Sequence, residues 1–389
     1  MKKTIYKIST AVALVLLSTG NLSAFDIKGK SGEQNTKLQI FGFGQLEARG
    51  GDGVIGDEQD ASVKFGAQRV RLGWKYSAGK VKGKVFLDFN QAHNDKSGVG
   101  MPNMVKDAFV TYIPHKAMAV KVGLIKMPLG FGFTTPGWNL DVVERGFDKQ
   151  LAFERGMGIM LSGRDLGFGN SGKVNGFEMG HERPWKGFGY DIMIANQAGR
   201  SGSVTNAKSG DANSYVARVS FDWTELFHTE LSYGISEKAG GIANGKDILT
   251  DTKAYKALNF GIDSHFGNGA NVKLEYFDAQ NLRGSADWDE STISLTGTYY
   301  VTDTLELATK HIQGTSDKNG VETDLGNTYI GFNYYLEPAN NKMSRMARKK
   351  RNAHRVQVNY VLANGDTDEW NGLKGYRDDA ILAQYQFKF

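Results

Sequence analysis

The sequence lacks any apolar run long enough to cross a membrane as a helix, and its longest apolar stretch lies within the first 24 residues. Such a helix needs about 18 to 20 consecutive apolar residues. Cysteine is absent and proline occurs only six times, so no disulfide framework holds a small secreted fold together. The mean hydropathy of −0.40 alone suggests a soluble protein. A barrel that presents apolar residues at alternate positions also has a low average, so this value does not exclude a membrane location.

Motifs for catalysis and for metal binding are also missing. The seven histidines are dispersed without metal-ligand spacing, and no GxSxG sequence is present. Residues Gly167–Gly172 fit GxGxxG, but no helical pattern follows, so we interpret them as a turn. The sequence therefore predicts no cofactor, no metal site, no catalytic residue and no enzymatic activity. Two alternatives stay open: a Ser/His/Asp hydrolase assembled from several strands, and Ca²⁺ binding by the acidic residues between Asp52 and Asp60.

The formal charge of the chain is small. It is +5 for the full sequence and +2 once Lys2, Lys3 and Lys7 are removed with an N-terminal segment. This balance predicts no nucleic-acid partner, and any electrostatic function has to come from where the charges lie. We interpret the basic run Lys342–Arg351 as a solvated turn, with binding of an anionic cell-wall polymer or gathering of anions as lesser alternatives.

The N-terminus has the features of an export signal. Basic residues in the first seven positions precede an apolar stretch from Ile8 to Leu17, and Leu22-Ser-Ala24 offers a cleavage site before Phe25. The apolar stretch is too short for a membrane anchor. We therefore predict a signal peptide over residues 1–24, a loose N-terminal extension over 25–36 and a folded domain over 37–389.

The folded domain contains many short segments in which apolar and polar residues alternate. In one of them Val70, Leu72 and Trp74 alternate with Arg69 and Arg71. Period two, with charges on one face and apolar groups on the other, is typical of a strand between lipid and water. We predict sixteen such strands, at residues 37–49, 61–77, 81–92, 104–114, 117–127, 156–165, 187–197, 213–223, 227–238, 253–266, 270–280, 290–301, 304–314, 326–336, 354–363 and 379–389.

Three features favour an all-β transmembrane antiparallel barrel. The connections alternate between short and long, as in outer-membrane barrels. Aromatic residues cluster near the ends of strands that run in one direction, where an aromatic girdle is expected. The chain ends in Tyr385-Gln-Phe387-Lys-Phe389, which resembles the signal through which such barrels bind the barrel-assembly machinery. We therefore predict a location in the outer membrane of a Gram-negative cell, with membrane lipid as a partner. Segment 174–182 is a candidate for an additional strand.

An irregular stretch, residues 129–155, lies between two of these strands. We predict that this outer loop folds into the barrel and narrows it. Basic side chains that line a pore favour anions, because a fixed cation replaces the lost hydration of the anion. The alternative is that these cations simply pair with inward-facing acids such as Asp88, Asp107 and Glu275. Strand alternation and the loop together nominate Arg69, Arg71, Lys75, Lys121, Arg145, Arg155, Arg164 and Arg218.

Several segments resemble the phosphate-selective porin O and P family. The resemblance covers most of the chain after the export signal at the level of pattern. It is carried by Gln68–Gly73, Val85–Phe89, Lys106–Tyr112, Val120–Gly130, Glu144-Arg145, Arg155–Ile159 and Thr328–Tyr335.

The resemblance implies a trimeric, sixteen-stranded porin whose third outer loop folds inward and forms an anion site with basic residues. It adds Lys126 to the candidates, beside Arg69, Arg71, Lys121, Arg145 and Arg155. The loop departs from the family in its phenylalanine and glycine content and in the acids beside its arginines.

We therefore expect a porin for passive diffusion of small hydrophilic solutes, assembled as a homotrimer. We expect a preference for small anionic solutes, with phosphate as one candidate. The alternatives are a general porin without selectivity, an outer-membrane hydrolase, and a structural or adhesive surface barrel.

Overall fold

A computed structural model describes most of the residues of the chain. These are 25–31, 34–51, 63–90, 104–115, 117–167, 186–196, 213–223, 226–237, 242–243, 246–247, 253–266, 269–337, 353–365, 372 and 374–389. Several predicted features lie outside them: the signal peptide over 1–24, the acidic segment 52–60, the turn at 168–172, the candidate strand at 174–182 and the basic run at 342–351.

Sixteen antiparallel strands form a closed barrel. Each strand pairs with its neighbour along the chain, and the last strand pairs with the first. Every predicted strand window overlaps one of them, so the predicted fold class is confirmed. The strands are β2 (Gln34–Gly51), β3 (Lys64–Ala78), β4 (Val81–Asp88), β5 (Val105–His115), β6 (Met118–Lys126), β7 (Arg155–Leu166), β8 (Lys186–Asn196), β9 (Asn213–Trp223), β10 (Phe227–Ser236), β11 (Tyr255–His265), β12 (Ala270–Gln280), β13 (Trp288–Tyr300), β14 (Leu305–Lys318), β15 (Val321–Tyr335), β16 (His354–Gly365) and β17 (Ala380–Lys388).

The two faces of the wall differ in the way that the alternation predicts. Val70 and Val122 are 38% and 50% exposed, whereas the neighbouring Arg69 and Lys121 are 7% and 9% exposed. The apolar side chains therefore lie on the outer face and the polar ones on the inner face. This arrangement is the reverse of that in a soluble protein and is the one expected of a wall surrounded by lipid.

Strands β14 and β15 are longer than predicted. The predicted ends at 314 and 326 leave a long loop, but the strands continue to Lys318 and from Val321. Asn319 and Gly320 form the turn between them with φ values of 57° and 77°. Two successive positive φ angles are typical of a tight hairpin turn, for which Asn-Gly is the favoured sequence. The prediction stopped short because the polar strand ends show no apolar alternation.

Residues 25–36 are not the loose extension that the composition predicts. Strand β1 (Phe25–Ser31) pairs with the beginning of β2, from Phe25 opposite Ile40 to Ser31 opposite Gln34. Strand β17 pairs with the later part of β2, up to Gly51. The two strands therefore lie end to end along one edge of β2.

Helical structure in the described residues is limited to single turns. They are α1 (Phe131–Thr134) and the 3₁₀ turns Gly137–Asn139, Phe147–Leu151 and Leu282–Gly284. Two short strands, Ile242–Ala243 and Lys246–Asp247, also pair with each other. In the part of the chain that is described, no helix is long and apolar enough to span a membrane.

Candidate functional site

The irregular stretch between β6 and β7 forms a packed unit that we call the inner segment, residues 127–154. Met127, Leu129, Val143 and Leu151 within it have no exposed surface. They belong to an apolar cluster with inward residues of the barrel wall, such as Ile312. The stretch is therefore ordered by burial of apolar side chains, although its sequence has no regular period.

Close contacts with glycine explain its phenylalanine content. A Cβ added to Gly261 in β11 would lie 2.5 Å from the Cβ of Phe131. A Cβ added to Gly314 in β14 would lie 2.7 Å from the ring of Phe147. Only glycine allows the rings to approach the wall so closely. The composition that departs from the family pattern thus fits this packing.

Polar side chains of the opposite wall hold the backbone of the inner segment. Buried backbone groups need such partners, because an unpaired buried N–H group costs free energy. The donors and acceptors are Phe131 N to Asn259 Oδ1 (3.0 Å), Gly132 N to Glu275 Oε2 (2.9 Å), Val143 N to Asn359 Oδ1 (2.8 Å), Asn333 Nδ2 to Asp141 O (2.9 Å) and Arg355 Nη1 to Leu140 O (2.8 Å).

The acids of the inner segment also pair with that wall. Asp141 forms an ion pair with Lys273, and Asp148 lies 3.1 Å from Lys310 Nζ. Glu144 accepts a hydrogen bond from the Tyr329 hydroxyl at 3.0 Å. Burial alone would raise the pKa of Glu144, but Arg49 and other neighbours lower the pKa below its ordinary value.

A basic cavity lies on the other side of the inner segment, against strands β3 to β9. Eight basic and two acidic side chains line it, a formal excess of six positive charges. The basic residues are Arg71, Lys84, Lys121, Lys126, Arg145, Arg155, Arg164 and Arg218, and the acids are Asp107 and Asp191.

Some of these cations are neutralised by carboxylates. Arg155 Nε donates to Asp107 Oδ1 at 3.0 Å, and Lys84 lies 2.6 Å from the other oxygen of that carboxylate. Arg71 forms an ion pair with Asp88 at 2.9 Å. In the same way, Asp191 bridges Arg164 (2.8 Å) and Arg218 (2.6 Å). The alternative that inward charges pair with each other therefore applies to these five cations.

Lys121, Lys126 and Arg145 have no ion pair with any described residue. Lys121 Nζ lies 4.7 Å from the centre of the Phe109 ring, and Lys126 Nζ lies 4.4 Å from that of Phe133. Lys126 also donates to a backbone carbonyl at 2.5 Å. An aromatic face attracts a cation without cancelling its charge. These contacts therefore fix the ammonium groups and leave their positive charge in the cavity.

The environment of Arg145 is destabilising for its charge. Among the described residues, its guanidinium donates only to two backbone carbonyls, Gly132 O at 3.0 Å and Thr135 O. Burial, together with Arg71 and Arg155, lowers the pKa of Arg145.

Lys126 lies directly opposite Arg155 in the β6–β7 pair. Because like charges opposite one another destabilise a sheet, an anion between them would relieve repulsion.

Seven of the nine predicted residues line this one cavity: Arg71, Lys121, Lys126, Arg145, Arg155, Arg164 and Arg218. The other two do not line it. Arg69 donates to Gln45 Oε1 at 2.6 Å. Lys75 lines a neighbouring cavity, where its Nζ lies 4.7 Å from the centre of the Phe41 ring.

Sequence reasoning left several lining residues out of the predicted site. Among them, Lys84 is on the inward face by strand alternation, which is the signal that identifies it. The aromatic residues Phe86, Phe109 and Trp138 carry no comparable signal, because an inward aromatic residue cannot be distinguished by sequence from ordinary packing.

Solved structures with the same fold include several bacterial outer-membrane channels. One is the anion-selective porin from Comamonas acidovorans, at 13% identity and a TM-score of 0.57, covering 91% of this chain and 100% of that chain. Another is the outer membrane channel DcaP of Acinetobacter baumannii, at 13% identity and a TM-score of 0.60, covering 93% of this chain and 99% of that chain. A third is OmpT of Vibrio cholerae in a trimer form, at 11% identity and a TM-score of 0.58, covering 91% of this chain and 99% of that chain.

A search of curated proteins found no match to the sequence. The family model for phosphate-selective porins O and P, however, matches residues 42–258, which is more than half of the chain. That family consists of porins and not of enzymes. The chain therefore belongs to the phosphate-selective porin O and P family and is an outer-membrane β-barrel porin.

Proposed function

We propose that this porin prefers anions and that the inner segment is its constriction. The observation that carries the proposal is the basic cavity, in which Lys121, Lys126 and Arg145 have no carboxylate partner among the described residues. Unneutralised cations attract anions and compensate for their lost hydration. A solute must also leave, so we expect weak and multiple binding along the wall.

The test is the reversal potential of the purified protein in planar bilayers under a KCl gradient. We expect a sign that indicates chloride preference, and a smaller value for the double variant Lys121→Met/Lys126→Met. The matched control is Lys80→Met/Lys318→Met, which removes two lysines that do not line the basic cavity. Cation preference of the natural protein, or equal loss in both double variants, would refute the proposal.

A general porin without selectivity is the second candidate. It is favoured by a second cavity, the balanced cavity, in which three basic and three acidic residues lie together: Arg145, Lys273, Lys310, Asp141, Glu144 and Glu275. If solutes pass mainly along that side, the reversal potential is close to zero.

Phosphate and a trimeric assembly are the finer parts of the proposal. The family name suggests phosphate as a solute, and the Vibrio cholerae structure is described as a trimer. Phosphate added to the bilayer should reduce the chloride current by competition. Light scattering of the detergent-solubilised protein should give the mass of three chains, whereas a one-chain mass would reject the trimer. We also propose that the C-terminal Phe389 is recognised by the barrel-assembly machinery.

A further inference from the structure

The basic cavity has an apolar wall as well as a charged one. Trp138, Phe86, Ile125 and Met160 line it, and they are 5%, 2%, 2% and 6% exposed. Pro128 and Pro136 complete the same side. The charges and the apolar groups thus line the same cavity.

The apolar wall is preformed by packing within the barrel. The Trp138 ring meets that of Phe43 edge to face, with 5.1 Å between ring centres, and meets that of Phe86 at 6.3 Å. Phe41 stacks on Phe86 at 5.2 Å. A rigid aromatic surface binds an apolar ligand without first having to become ordered.

Inorganic phosphate does not use such a wall. Its oxygens need hydrogen-bond donors on every side, and those that face an apolar surface lose water without replacement. An organic acid has one charged end and one apolar body. Its carboxylate can contact Lys121, Lys126 or Arg145, while its apolar body leaves water when it packs on the apolar wall.

Trp138 has one further property that fits this ligand. Its indole N–H makes no hydrogen bond to any described residue, although its backbone carbonyl accepts one from Gln386 Nε2 at 3.2 Å. The indole therefore retains an unused donor, and its ring also contacts a cation, with Lys388 Nζ 5.3 Å from the ring centre.

We propose that the basic cavity is a binding site for organic monocarboxylates with an aromatic or similarly apolar body, in preference to inorganic phosphate. The proposal rests on the proposed anion preference and adds the class of solute. The basic residues attract the carboxylate, and the wall around Trp138 selects its body.

The probe is block of the chloride current of the full barrel in planar bilayers by benzoate, acetate and phosphate. We expect half-block by benzoate at a concentration about tenfold lower than by acetate, because only benzoate covers the apolar wall. Half-block by phosphate should require a higher concentration than half-block by benzoate. Equal concentrations for benzoate and acetate, or stronger block by phosphate, would overturn the proposal.

Substitutions at Trp138 test the location. Trp138→Ala should reduce the advantage of benzoate over acetate to about twofold or less. Trp138→Phe retains an aromatic face and should retain most of the advantage. The matched control is Trp223→Ala on the outer face, where Trp223 is 45% exposed.

These outcomes separate two failures. If the natural protein shows no chloride preference, the proposed function fails. If chloride preference is present but Trp138→Ala keeps the full benzoate advantage, only the proposed class of solute at this wall is rejected.

Discussion

The basic cavity and the balanced cavity differ in charge although the inner segment lines both. Beside strands β12 to β14, Asp141 and Asp148 of the segment form ion pairs with Lys273 and Lys310. Beside strands β3 to β9, the segment adds Arg145 to a cavity whose lining already holds an excess of cations. One side therefore anchors the segment, and the other side keeps an uncompensated field.

The difference shows that a charged loop can serve two purposes at once. Buried ion pairs on the anchoring side require close partners, since an unpaired buried charge is costly. Cations on the open side are held instead by aromatic faces and backbone carbonyls. Carbonyl and aromatic contacts position a cation and leave its net charge available to a solute.

The largest effect should come from breaking the anchor. Lys310→Met leaves Asp148, which is 3% exposed, without its ion pair. We expect a loss of about 3–5 kcal/mol in the free energy of unfolding, measured by urea unfolding in detergent micelles. The double variant Lys310→Met/Asp148→Leu removes both charges and should recover most of this loss. No recovery in the double variant would contradict the assigned role of the pair.

A second prediction reverses one charge on the open side. Arg145→Glu should lower the chloride-to-potassium permeability ratio about tenfold, because it changes the local charge by two units in a weakly screened site. Lys318→Glu makes the same change at the hairpin turn between β14 and β15 and should leave the ratio nearly constant. Bilayer reversal potentials measure both, and similar shifts in the two variants would remove Arg145 from the constriction.

Salt should weaken the electrostatic effect of the basic cavity more than it weakens the buried ion pairs. The Debye length falls from about 10 Å at 0.1 M salt to about 3 Å at 1 M. We therefore expect the chloride preference to decline in concentrated KCl, measured as the reversal potential at a fixed concentration ratio. Unfolding stability, which depends on the buried pairs, should change little. A chloride preference that is independent of salt would point to selection by size.

The smallest effect concerns pH on the anchoring side. Because the pKa of Glu144 is lowered in the folded barrel, its carboxylate stabilises the fold above the ordinary carboxyl range. That contribution is lost as pH falls below the ordinary carboxyl range and through the lowered pKa. We expect a decline in the thermal unfolding midpoint in acid that is smaller in Glu144→Gln. Identical acid profiles would show that Glu144 does not contribute.

Much of the barrel could be predicted from the alternation of residues. The sixteen strands and the face of each side chain follow from period two, because one register places all the apolar residues outside. The errors occur where apolar and polar residues do not alternate. These places are the polar ends of β14 and β15, and strand β1, which pairs with β2 without an alternating apolar pattern.

Most of the residues of the site could also be predicted from the sequence. Seven of the nine predicted residues line the basic cavity, because the inward position of a side chain on a strand and the charges of a loop are local features. Whether a given cation keeps its charge uncompensated is not local. Asp141 and Lys273 are 132 residues apart, and Asp148 and Lys310 are 162 residues apart.

The sequence by itself thus determined the barrel, its two faces and the residues available to a pore. The pairing of acids with cations, by contrast, depends on the tertiary structure. As a result of that pairing, Lys121, Lys126 and Arg145 line the basic cavity without a carboxylate partner in the described chain. The physical reason is that alternation is set by the geometry of each strand, whereas ion pairing depends on distances of a few ångströms between parts of the chain that only closure of the barrel brings together.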